Sequence, residues 1–327
     1  MSQKELSIEF DPDGVGLEGK LFGLPFDIAE SQVVIIPVPW EVTVSYGTGT
    51  AKGPQAVLAA SPHLDLAIKN IPNAWKLGIG MLPISEDWIE ENDQWRPHTS
   101  DYIKWLESGK RKHVDANLMK IPGAVDAISI KLNLWVKSHA KKIIESGKMV
   151  GVLGGDHSTA LGLIDTISEN LDEFGILHVD AHADLKESFE GFQYSHASIM
   201  NNVLKLSNMT KLVQAGIRDY SESEYFKIKE SHGRIQSFFF SDLKEEVFKG
   251  KHWGELCFKM IENLPEKVYV SFDIDGLDPK LCPNTMDSSR NLQAMPLWHF
   301  LVPKKPTRMI LSGPYMLPEK FIKWLIP

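Results

Sequence analysis

Five short apolar runs punctuate the chain: VVIIPV (33–38), MVGVLGG (149–155), FGILHVD (174–180), TKLVQAGIR (210–218) and KVYVSFDID (267–275). Each is rich in Val, Ile, Leu or Phe and too short for a helix, which reads as a buried strand. Between them, apolar residues recur at helical spacing in PQAVLAASPHLDLAI (54–68), AISIKLNLWVKSHAKKIIESGK (127–148) and STALGLIDTISENL (158–171). Pro54 suits a first helical turn, where its missing N–H does no harm, and Gly147 after a basic last turn is a stop signal. The stretch PWEVTVSYGTGTAKGPQAV (39–57) carries turn chemistry at Gly47, Gly49 and Gly53 and predicts a loop. Residues 82–120, with tryptophans and mixed charges, read as an excursion from the repeat. Strands alternating with helices predict an α/β fold, a central parallel sheet covered by helices on both faces. No internal repeat or low-complexity linker divides it.

Composition narrows the partners. The 327 residues carry a net charge of −8, with no basic cluster beyond short runs such as GKRKH (109–113), of the kind found at solvated helix ends or loops. Nucleic acid is therefore not an expected partner. No stretch of 18 uninterrupted apolar residues exists, and MSQKELSIEFDPDG has no apolar h-region, so neither a membrane nor a leader is expected. Cys257 and Cys282 are the only cysteines, too few for a disulfide framework. The expected compartment is the cytoplasm.

Chemistry concentrates where three of the strands end. GVLGGDHST carries Asp156 and His157, VDAHADLKE carries Asp180, His182 and Asp184, and VSFDIDGLDP carries Asp273 and Asp275. In a parallel sheet ligands bind beyond the carboxyl ends of strands. Alternation along an extended chain sends i, i+2 and i+4 to one side, so Asp180, His182 and Asp184 are expected to converge, as are Asp273 and Asp275. Taken singly these motifs are ordinary: Asp156 can cap the helix beginning at Ser158, and Asp278 before Pro279 can make a turn. Taken together, buried carboxylates repel one another and lose hydration, which demands either protons or cations. A set of oxygens and imidazoles without thiolate suits Mn or Mg better than structural zinc. Four Asp and two His suffice for two ions about 3.5–4 Å apart, an arrangement that generates a nucleophile from water near neutral pH.

GGDHS, DAHAD and SFDIDGLDP resemble, in order and spacing, the signature motifs of the ureohydrolases, the arginase/agmatinase/formimidoylglutamase family. The resemblance runs from about residue 33 to 285 and implies the arginase-type three-layer α/β/α fold with two Mn2+ per chain. It implies His157, Asp180, Asp184 and Asp273 on one ion and Asp180, His182, Asp273 and Asp275 on the other. It further implies hydrolysis of a small guanidino or amidino substrate: a metal-bridging hydroxide attacks the guanidino carbon and urea departs. His196 in QYSHAS (193–198) matches the family's loop histidine and becomes the candidate proton shuttle; without the resemblance it would read as an exposed loop residue. The segments YGTGTAKGPQAV, LVQAGIRDY and YSHAS resemble agmatinases more than arginases, and DLKESFEGFQYSHAS lacks the Asn and Ser pattern with which arginases hold an amino-acid end. Agmatinase-like comes first, arginase second, formimidoylglutamase third. By resemblance, a homo-oligomer, trimeric or hexameric, is expected.

The tail departs from this pattern. Residues 1–285 form the ureohydrolase-like unit, whereas 286–327 carry six basic residues (Arg290, Lys304, Lys305, Arg308, Lys320, Lys323) against Asp287 and Glu319. No strand–helix unit is legible there, and the family's late substrate-holding glutamate has no counterpart in context. A reading-frame change or divergence would each produce such a tail, and the chain ends a few dozen residues sooner than the pattern. Loss of the last unit would leave a sheet edge uncovered. The competing reading is therefore a metal-binding but catalytically impaired homologue. Zinc-dependent deacetylases are a more distant alternative, disfavoured by His182, which completes a two-metal set.

Overall fold

In the computed structural model, residues 10–109 and 116–278 are described in full and 298–303 as backbone. All five apolar runs become strands: β1 (Val33–Val38), β3 (Met149–Gly154), β4 (Phe174–Val179), β5 (Met209–Ile217) and β7 (Lys267–Phe272). Three more join them, β2 (Ile79–Met81), β6 (Ile235–Phe239) and β8 (Trp298–Pro303). The single sheet has the order β2-β1-β3-β8-β7-β4-β5-β6. Every pairing is parallel except those of β8, which lies antiparallel between β3 and β7. The short β2 and β6 stand at the two edges, where length is a liability.

Alternate side chains of each strand feed opposite layers of helix. One face carries Val34, Ile36, Val38, Val152, Ile176 and Leu212, all fully buried. It packs against α2 (Glu86–Glu107), α3 (Ile121–Glu145), α4 (Leu161–Asn170), α5 (Ile199–Val203) and α6 (Glu222–Glu230) through residues such as Tyr102, Leu132, Val136, Ile164 and Met200. The other face carries Leu177, Val179, Val213 and Ala215 against α7 (Phe240–Phe248) and α8 (Trp253–Ile261). Farther along, Val33, Ile35 and Leu153 meet Val57 of α1 (Gly53–Ala60). Burying each such aliphatic side chain contributes about 1.5–3 kcal/mol. The fold is a three-layer α/β/α sandwich, and the sheet's near-continuous apolar strands follow from burial on both sides.

The tail contributes more than its composition suggests. Residues 298–303 fill the space between β3 and β7, so the interior edges expected to be open are paired. The remainder of 286–327, Cys282 and most of the GKRKH run lie outside the described residues. The excursion at 82–120 contains α2, a helix of 22 residues capped by Ser85, whose Oγ accepts from the Trp88 amide. Its internal Pro97 and high charge hid the helical period. Its work is to brace the loop after β1: Thr99 Oγ1 donates to the Val42 carbonyl at 2.7 Å, and Asn92 Oδ1 accepts from the Glu41 amide at 2.8 Å. The buried Glu41 carboxylate then gathers the amides of Gly49 and Ala51 and the hydroxyl of Thr50.

Gly155, just after β3, is where that loop meets the site. Its amide donates to the Val38 carbonyl, and the next amide, of Asp156, to the Trp40 carbonyl at 2.7 Å. A Cβ here would stand 2.1 Å from the Trp40 oxygen, and both partners are backbone. Gly155→Ala is expected to lower stability by about 1–3 kcal/mol, seen as a reduced urea midpoint at unchanged slope. An unchanged midpoint would show that the two loops can part freely.

Candidate metal centre

The three acidic motifs meet beyond the carboxyl ends of β3, β4 and β7. Here the strands stop sooner than the alternation argument assumes. β4 ends at Val179, and Asp180–Asp184 form an irregular segment in which Asp184 adopts a left-handed φ of 54°. β7 ends at Phe272, and Asp273 caps a tight turn, accepting from the Asp275 amide at 3.0 Å. Convergence therefore comes from turn geometry as much as from period two. Gly276 permits it, because a Cβ there would lie 2.9 Å from the Asp180 nitrogen.

Two groups of potential ligand atoms result. His157, His178, Asp180 and Asp184, all buried, form one; Asp180, His182 and Asp275 form the other. Asp180 belongs to both. His157 Nδ1 lies 3.0 Å from Asp180 Oδ2, 3.0 Å from Asp184 Oδ2 and 3.6 Å from Asp273 Oδ2. His182 Nδ1 lies 2.9 Å from Asp275 Oδ2 and 3.5 Å from Asp180 Oδ1. The structure thus brings all six predicted metal-site residues together, with Asp273 beside His157 but in neither tight group. Asp156, by contrast, turns away: its Oδ1 accepts from the Ser158 amide, so it is a cap, and its Oδ2 accepts from Thr43 Oγ1.

The charges are strongly out of balance. Burial pushes Asp273 well above the usual carboxylate range, and the charges of Asp275 and Asp180 push the same way. Asp275 is raised as well, by burial first and by Asp180 next. For Asp180 burial acts upward, but the imidazoles of His178, His157 and His182 overcome it and hold the carboxyl well below its usual range. Burial would lower both histidines; contacts with Asp180 and Asp184 instead raise His157 well above normal, and Asp180 and Asp275 carry His182 to about 12. Four carboxylates with two imidazoles make an oxygen-rich, thiolate-free donor set. The described cysteine, Cys257, is buried in the apolar layer of α8. That chemistry fits hard divalent cations.

His196 sits at the rim rather than in either group. It opens the 3-10 turn His196–Ser198 and is half-buried, not exposed. Its Nδ1 lies 3.3 Å from Thr43 Oγ1, and its ring meets Phe189 edge-on at 5.6 Å. Burial lowers its pKa to about 4, more than the charge of Asp184 can offset, so the ring is neutral at pH 7.

Sequence reasoning missed several residues that build this site. Glu224, buried in α6, accepts from the Leu185 amide at 2.9 Å and from Lys186 Nζ at 3.1 Å, anchoring the segment after Asp184. Its signal was legible: Ser221 and Glu224 form a capping box. Arg218 ties the Asp275 turn down by donating to the carbonyls of Asp275 and Leu277. Glu190 was also overlooked. It holds a left-handed φ of 54°, and burial, then the charge of Glu107, pushes its carboxyl up to about 7 against the pull of Arg96. A raised value means the fold favours the protonated form. The associated stability is complete below about pH 4.5 and is lost as pH rises through 7. Glu190→Gln is therefore expected to match the native protein at pH 4.5 and exceed it by about 1–2 kcal/mol above pH 8. Melting curves across that range check it; a constant difference would refute it.

A model described as the arginase family matches residues 31–290. The chain belongs to the arginase family. Among curated relatives, N(1)-aminopropylagmatine ureohydrolase of Thermus thermophilus is 29% identical over 255 residues, covering 78% of this chain and 71% of that one. Agmatinase of Bacillus anthracis is 27% identical over 257 residues, with 78% and 72% covered. Among solved structures, agmatine ureohydrolase of Thermoplasma volcanium superposes with a TM-score of 0.57 at 20% identity over 86% of this chain and 77% of its own. Arginase from Medicago truncatula gives 0.54 at 23% over 81% and 71%. Those likenesses confirm the arginase-type fold. Arginase-family relatives are ureohydrolases, hydrolases of C–N bonds in linear amidines, and agmatinase is among their names.

Proposed function

We propose that this chain is an agmatinase-like ureohydrolase that releases urea from a small guanidino amine, using two Mn2+ held by His157, Asp180, His182, Asp184, Asp273 and Asp275. One observation carries the reading: two groups of inward donors share the single carboxylate of Asp180. When bound, a pair of such ions neutralises the carboxylates and makes water nucleophilic near neutral pH. The remaining work falls to the protein. His157, Asp180 and Asp184 would hold one ion and Asp180, His182 and Asp275 the other, with Asp273 beside His157. The neutral ring of His196, steadied by Thr43 Oγ1, relays a proton toward the departing amine. The Phe189 ring stands edge-on against His196 at the rim.

Agmatine and its N1-aminopropyl derivative are the first substrates to try, because relatives that cover most of this chain carry those names. Arginine is the second choice. The reading includes a homo-oligomer in the cytoplasm; among the described residues no helix is long and apolar enough to cross a membrane. The test is urea release from agmatine, N1-aminopropylagmatine and arginine by protein purified with Mn2+, with bound metal measured alongside. Urea from the decarboxylated guanidines with two ions per chain supports the proposal. Two ions without urea from any of them would replace it by the catalytically impaired homologue.

A further inference from the structure

A polar row crosses the middle of the sheet, one step below the metal-site carboxylates. Register pairs Ser271 of β7 with His178 of β4, His178 with Gln214 of β5, and Gln214 with Ser237 of β6. Ser271, His178 and Gln214 are fully buried among strands whose buried side chains are mostly apolar. Polar side chains at such positions are costly unless each is satisfied. We infer that His178 is a positioning residue: as an Nε2–H tautomer selected by Gln214 and Ser237, it fixes the Asp180 carboxylate without binding an ion itself. The inference rests on the proposed metal-binding role of Asp180.

The hydrogen bonds determine the tautomer in sequence. The Ala183 carbonyl can only accept, so the Gln214 atom 2.7 Å away is the amide nitrogen. The Gln214 oxygen then faces Ser237 Oγ, which donates to it at 2.7 Å. The second amide hydrogen of Gln214 points at His178 Nδ1, 3.0 Å away, and makes that nitrogen an acceptor. The ring proton must sit on Nε2, which donates to Asp180 Oδ2 at 2.8 Å. Neither ring nitrogen retains a lone pair for a cation. His178 stands within the first group of potential ligands, yet its partners make it a donor there. Asp180 Oδ1 is fixed separately by the His182 amide at 2.7 Å, so the carboxylate is held at both oxygens in the orientation that serves both groups. At the other end of the row, Ser271 Oγ sits 2.7 Å from His157 Nε2, which leaves His157 Nδ1 directed at Asp180 and Asp184. Such outer partners fix ligand orientation.

Two substitutions separate the donor from the ring. Glutamine places an amide nitrogen where Nε2 stands, whereas asparagine reaches only the place of Nδ1. Titrating metal-stripped protein with Mn2+ alone by calorimetry, His178→Asn is expected to lose about 10–100-fold in affinity. His178→Gln should stay within about tenfold of native and well above the asparagine variant. Near-native affinity in His178→Asn overturns the inference; so does equal loss in both variants with native near-ultraviolet dichroism, which would make the ring a ligand or a filler. If the variants do not fold, 15N-histidine NMR of the metal-free native protein decides: a proton on Nε2 alone is expected, and one on Nδ1 overturns the inference. Native protein that takes up no Mn2+ would instead sink the metal reading, while the NMR result still judges the tautomer.

Discussion

Asp180→Asn is expected to cut urea release by about 10^3-fold or more and to leave at most one Mn2+ on each chain. The effect reaches both ions because, among the described residues, this carboxylate alone belongs to both donor groups. An amide supplies one oxygen and no charge, and its NH2 would face either the His178 Nε2–H or the His182 amide, two donors that require an acceptor. The buried His178 donor would also lose its charged partner. Metal analysis beside a urea assay tests this; a variant that keeps both ions and a tenth of its rate would refute the shared-carboxylate arrangement.

His196→Ala is expected to lower kcat by about 10^2–10^4-fold while KM and metal content stay near native. The separation follows from position. His196 touches Thr43 and Phe189 at the rim and is in neither donor group, so its removal spares the metal and takes away the proton relay. Because burial lowers its pKa to about 4, the native ring remains neutral across the working range, and its titration should place no inflection near pH 6.5 in kcat. Loss of bound metal in the variant would assign His196 to the metal site instead.

The fold was legible wherever burial imposed a pattern. β1, β3, β4, β5 and β7 are largely buried on both faces, so their residues are mostly apolar and stand out from the surrounding helices. β2 has three residues and β6 is half-exposed at the edge, and neither had enough buried positions to mark it. Pro97 and a run of charges concealed α2. The carboxylates were legible because acids closing apolar strands are costly and so conspicuous. His178 lies in the same run as Asp180 and passed unnoticed, since its reason for being there, Gln214, is 36 residues away in sequence and adjacent only across the sheet. Glu224 and Arg218 escaped for the same cause: each acts on a segment far along the chain. Pairings across strands are what one sequence conceals.

The antiparallel β8 has a consequence for how the protein is made. Strands β1 to β3 form one block and β4 to β7 another, and in the sheet they meet only through residues 298–303. A ribosome emits both blocks before the strand that joins them. Until it emerges, β3 and β7 each present an unpaired inner edge, the kind of surface that draws other chains. His157 is in the first block and the remaining predicted ligands in the second, so the donor set too is completed only when the halves unite. Synthesis slowed beyond residue 278 would prolong that open state and the exposure of both edges.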